Sequence, residues 1–199
     1  SNLYVMLENK LISKKKPAFP ISKDLSGYLT KNGRYTKIPI HYGDLLRFQG
    51  SVPILDKNEK DTLWLSTYFA DYERDEIELN LKKIYTILHA DGSDSPIPFL
   101  SVDSIDFCTF GNTKPFRIKI RNILNDNYTY FYLKKADASR VYGLELEHLL
   151  SPNHIGFLVN SDTLIEEHIS GIPGDIFIEE NLKNCSIQDK KALAKEFVK

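Results

Sequence analysis

Two lysines, Lys134 and Lys135, close the run YTYFYLKKA, and two glutamates, Glu145 and Glu147, follow in DASRVYGLELEHLLS. A strand lysine held by a carboxylate on a packed helix is a fixed cation, and such a cation can hold phosphate oxygens. Strand alternation groups Lys135 with Leu133 and Phe131, and Lys134 with Tyr132 and Tyr130, so either lysine can point inward. Glu145 and Glu147 lie about 200° apart around a helix, so only one of them faces a sheet. The ordinary alternative is that all four are solvated surface charges.

A second constellation is TLIEEHISGIPGDIF, residues 163–177. An apolar run ends in two glutamates and a histidine, then breaks into Gly-Ile-Pro-Gly-Asp. This resembles the fifth strand, hinge and following helix start of protein-kinase-like enzymes, a superfamily that includes aminoglycoside phosphotransferases and related small-molecule kinases. The resemblance covers about residues 99–199 and rests on the order and spacing of elements. It implies an ATP site in which Glu167, His168 and Ile169 form the hinge, with backbone groups of His168 and Ile169 on the adenine edge. It places Asp175 near the ribose or at the next helix cap. Gly111, in the first strand turn, would join Lys134 or Lys135 and Glu145 or Glu147 around the phosphates. Glu166 falls where an apolar or small residue usually guards the adenine pocket.

The pattern is incomplete. There is no G-x-G-x-x-G, no Asp-x-x-x-x-Asn catalytic loop and no Asp-Phe-Gly-type metal site. The chain stops inside the amphipathic stretch SIQDKKALAKEFVK, where Ile187, Leu193 and Phe197 recur at helical spacing. The expectation is the N-terminal portion of an ATP-dependent phosphotransferase, inactive alone, whose catalytic lobe and magnesium ligands belong to a longer parent protein. The partners implied are a nucleotide and an unidentified protein or small-molecule substrate.

Other chemistry has little support. The five histidines form no HExxH or i, i+4 pair, and there is no G-x-S-x-G. Two cysteines, Cys108 and Cys185, exclude a four-cysteine zinc site and fit a reducing cytoplasm. No apolar run approaches the ~18 residues of a membrane span. A net charge of −1 gives no electrostatic reason to expect nucleic acid. One local feature runs against that balance: PFRIKIRNI alternates Arg117, Lys119 and Arg121 with apolar residues, close to Tyr128, Tyr130 and Tyr132. A single-strand nucleic-acid platform could use such a face. A non-catalytic protein-interaction module, binding through sheet edges or the tyrosine-rich face, is the principal alternative to the enzyme.

The elements that must position these residues are legible in part. HADGSDSPIP, residues 89–98, is dense in turn formers and divides the chain into an accessory α+β domain, residues 1–95, and a nucleotide-binding region, residues 99–199. Before it, Ile77, Leu81, Ile84 and Leu88 form a helical stripe. Asn32-Gly33 reads as a tight turn between extended runs. After it the order is β-β-β-α-β-β, with Asp137 or Ser139 capping the helix. The fold class expected is α+β: a small α+β N-terminal domain, then a five-stranded, mostly antiparallel sheet with one helix across a face, as in a kinase N-terminal lobe.

Overall fold

The computed structural model describes residues 17–150 and 155–168. Seven strands form one sheet: β1 (Gly50–Leu55), β2 (Asp61–Tyr68), β3 (Leu100–Cys108), β4 (Phe116–Asn122), β5 (Tyr128–Lys135), β6 (Phe157–Asn160) and β7 (Thr163–Glu167). Their spatial order is β1-β2-β3-β4-β5-β7-β6, and every neighbouring pair is antiparallel. Four helices accompany them: α1 (Lys23–Lys31), α2 (Tyr42–Leu45), α3 (Asp71–His89) and α4 (Ala138–Leu150).

The β-β-β-α-β-β order after residue 99 is present. The sheet is larger than the five strands expected, because β2 takes β3 as its hydrogen-bonding neighbour through Trp64–Cys108, Leu65–Phe107 and Ser66–Asp106. The sheet therefore runs unbroken past the turn-rich residues 89–98, and all described residues lie within one compact unit that ends at His168.

One sheet face carries the larger core. Phe116, Ile118 and Ile120 of β4, Phe131 and Leu133 of β5, and Ile165 of β7 point into it, with Ile77, Leu81 and Ile84 of α3 packed across. The helical stripe is thus a core stripe, with Leu88 at its partly buried end. Asp71 and Glu73 sit in the first turn of α3, where acidic groups complement the helix dipole.

The second face is covered only at one end. There Leu25 and Leu29 of α1 and Val141 and Leu144 of α4 meet Phe157 and Val159 of β6 and Leu164 of β7. β6 and β7 are therefore buried on both faces, as expected of short continuous apolar runs. Tyr35 forms a parallel bridge to Val159.

Asn32-Gly33 makes a helix end rather than a hairpin. Asn32 caps α1, Gly33 has φ of 72°, and Gly33 N and Arg34 N donate to the Thr30 and Leu29 carbonyls at 3.1 and 2.9 Å. This is the Schellman arrangement, in which glycine supplies the left-handed residue that a hairpin turn would also require. The expected C-terminal helix at 186–199 lies outside the described residues.

Candidate ligand-binding face

Alternation along β4 and β5 sends the charged and tyrosine side chains to the face opposite the main core. The register fixes the rows: Asp106, Arg117, Tyr132 and Glu166 lie side by side across β3, β4, β5 and β7, and Lys119 lies opposite Tyr130. Trp64 of β2 enters the same face beside Cys108.

Cations and rings interleave across it. The Arg117 guanidinium lies 4.2 Å from the Trp64 ring centroid and 5.6 Å from that of Tyr130. Lys119 Nζ sits 4.3 Å from the centre of Tyr128, and Tyr128 and Tyr130 meet edge to face at 5.7 Å. His168 packs against Tyr130 and Tyr132 at 5.8 and 5.6 Å, and its Nδ1 is 3.0 Å from the Tyr132 hydroxyl. Burial raises the Tyr132 pKa above the ordinary tyrosine value. Each such cation–ring contact contributes about 0.5–1 kcal/mol where exposed.

Carboxylates hold the arginines in place. Asp106, itself buried, accepts from Arg117 at 2.9 Å, and Asp103 and Asp126 accept from Arg121 at 2.8 and 3.0 Å. The Arg121 hydrogen bond keeps the Asp103 carboxyl below its usual pKa. Lys119 makes no ion pair with any described carboxylate within 4.0 Å.

Where α4 closes over the face, Glu166 is the centre. It is only 4% exposed, and it accepts from Arg140 Nε and Nη2 at 2.8 and 3.0 Å and from Lys134 Nζ at 3.0 Å. Burial pushes its carboxyl pKa up, but the Arg140 hydrogen bonds and the charges of Lys134 and Arg140 outweigh that, leaving it below the ordinary value.

The residues expected to bind nucleotide are dispersed. Lys134 pairs with Glu166 on the next strand, not with Glu145 or Glu147. Glu145 is buried against α1, with Oε1 2.8 Å from Arg34 Nε and Oε2 accepting from Tyr28 at 3.3 Å. The Arg34 contact has the distance of a hydrogen bond but not its alignment, so it counts as an ion pair only. Glu147 is half-buried further along α4. Lys135 is exposed at the sheet end, between a concavity of about 670 Å³ beside α1 and one of about 480 Å³ that includes Asn112 and Thr113. Gly111, with φ of 90°, begins that turn.

The hinge amides already have partners. Glu167 N donates to Gly156 O at 2.9 Å and His168 N to Tyr130 O at 3.0 Å. The Glu167 carboxylate accepts from Gly156 N at 3.0 Å and lies 3.1 Å from His89. Ile169 and Asp175 lie outside the described residues.

Trp64, Asp106 and Arg140 were not singled out from the sequence. Asp106 had a signal: 106 and 117 are equidistant from the Gly111–Asn112 turn, so a β3–β4 hairpin opposes them. Trp64 and Arg140 had none, because their neighbours come from non-local pairing. Among the described residues no cluster of three or more His, Cys, Asp or Glu could hold a metal ion, and no helix is long and apolar enough to cross a membrane.

Compared with family models, curated proteins and solved structures, the chain matches none of them.

Proposed function

We propose that this region is a non-catalytic binding module whose ligand surface is the open part of the polar sheet face. The observation that carries this reading is the cation–aromatic ladder from Trp64 through Arg117 and Tyr130 to His168. Ordinary solvated sheet faces have no need to buttress arginines against rings and buried carboxylates. Here the buttressing fixes a set of planes in advance of any ligand, which lowers the ordering cost of binding. Trp, Tyr and Arg are also the residue types that dominate binding hot spots.

The phosphotransferase reading ranks second. Its support is the element order and the position of Lys135 near the Gly111 turn. Against it stand the Lys134–Glu166 pair and the occupied amides of Glu167 and His168.

A capture experiment separates the two. Immobilised wild type, the Lys119→Glu/Tyr128→Ala variant and a Tyr72→Ala control on α3 are exposed to cell extract, and Mg-ATP melting curves are recorded in parallel. The module reading expects retained material that is lost from the sheet-face variant and kept by the control. Equal retention by all three, together with a Mg-ATP shift in melting temperature, would replace it with the nucleotide site.

A further inference from the structure

We infer that the ligand of this face is a single-stranded nucleic acid, an inference that rests on the binding-module reading above. The first argument is periodicity. Tyr128, Tyr130 and Tyr132 recur every second residue of β5, so their stems stand about 6.8 Å apart along the strand. Stacked bases of a duplex strand are about 3.4 Å apart, so bases can match successive tyrosines only if they are splayed apart. Splayed bases belong to single strands.

The second argument is the composition of the open face. Positions 64, 117, 119, 128, 130, 132 and 168 hold Trp, Arg, Lys, Tyr, Tyr, Tyr and His, and the exposed aliphatic of the face, Val52, stands apart from them on the edge strand β1, opposite Ser66. A protein partner's apolar anchor seeks a well-packed, desolvated pocket, whereas bases stack on rings and guanidinium planes of any sequence context. Arg117, held in plane by Asp106 and stacked on Trp64, is such a surface.

The third argument concerns charge, and it gives the interaction an unusual signature. Arg117, Arg121, Lys134 and Arg140 already have carboxylate partners, which leaves Lys119, over the Tyr128 ring, as the cation of this face with no carboxylate within 4.0 Å among the described residues. Binding therefore depends on stacking and engages only one or two phosphates. The logarithm of affinity should fall with the logarithm of salt at a slope of about −0.7 to −1.4, far shallower than for a basic groove. A near-neutral chain is compatible with that kind of site and not with a strongly basic one.

The test is fluorescence anisotropy of the full chain with a labelled oligothymidylate of about 12 nucleotides, against its duplex with oligoadenylate, at about 50 and 200 mM salt. The expected result is saturable binding of the single strand, weaker binding of the duplex, and the shallow slope. Tyr128→Ala, at a residue 55% exposed, should weaken it about tenfold with an unchanged circular dichroism spectrum. Lys119→Glu should weaken it and flatten the salt dependence. Absence of saturable binding, or equal binding by both variants, overturns the inference. If the same variants still lose nuclease-resistant protein in the capture experiment, the module stands and its ligand is a protein. If they lose nothing there either, both readings fall.

Discussion

The polar sheet face has two halves built from similar residues, one covered by helices and one open. Over β6 and β7, helices α1 and α4 cover the face, and the buried carboxylate of Glu166 is matched by Lys134 and by Arg140, which reaches out to solvent. Over β2 to β5 nothing among the described residues covers it, and there Arg117 lies on the Trp64 ring with the Asp106 carboxylate behind it, while Lys119 lies on the Tyr128 ring with no described carboxylate partner within 4.0 Å. A buried charge must be matched by charge, since desolvation is otherwise prohibitive. A half-exposed one can be held by a ring and remain available. The covered half belongs to the fold, and the open half is the surface proposed to bind. That contrast has measurable consequences, and they descend in size from one half to the other.

The largest effect belongs under the helices. Leu164 is 1% exposed among Leu25, Val141 and Val159. Leu164→Ala should cost about 4 kcal/mol, the sum of lost burial and an unfilled cavity, read as a fall in the urea midpoint. A loss below about 1 kcal/mol would mean that α1 and α4 do not seal this half.

Glu166→Gln comes next, with a cost of about 3 kcal/mol at neutral pH, because Lys134 and Arg140 would lose their charged partner. The cost should depend on pH in a defined direction. The folded carboxyl titrates below its ordinary value near 4.3. Its stabilisation is therefore present above that pH and is lost as pH falls through the folded pKa. Urea titrations at neutral pH and in acid should find wild type and variant far apart in the first and nearly coincident in the second. An equal gap at both would assign the effect to packing rather than charge.

Within the open half, the Asp106–Arg117 pair across β3 and β4 joins a buried carboxylate to the exposed surface. Asp106 is buried while Arg117 reaches the open side, so Asp106→Asn should cost about 2 kcal/mol, within the range for a hydrogen bond to a charged group. It should also loosen Arg117 over Trp64, visible as a change in tryptophan fluorescence. No spectral change would mean that Trp64 alone fixes the guanidinium.

How much of this could be read in advance follows from which contacts are local. The strict alternation of Phe116, Ile118 and Ile120 with Arg117, Lys119 and Arg121 gave β4 and its two faces, since half-burial imposes period two on neighbouring residues. The Ile77–Leu88 stripe gave α3 on the same ground. Asn32-Gly33 misled because a Schellman end and a hairpin both call for a left-handed glycine, and only the Leu25–Leu29 pair before it signals a helix. The partner of Lys134 was hidden because β5 pairs with β7 and skips β6, so Glu166 arrives diagonally across a register that no local spacing encodes. Glu145 and Glu147 were the nearer candidates in sequence, but Glu145 turns toward Arg34 and Tyr28 instead.

The smallest expected effect on stability is the one that defines the open half. Tyr128→Ala and Lys119→Glu remove an exposed ring and a half-buried cation that contact each other at 4.3 Å on the side away from the core. Surface changes of this kind usually alter stability by less than about 0.5 kcal/mol. Chemical denaturation should therefore leave both variants close to wild type while capture by the face is lost. Were either to destabilise as Glu166→Gln does, the ladder would be part of the scaffold. The division between the two halves would then disappear, because a surface that the fold depends on cannot be counted as free for a ligand.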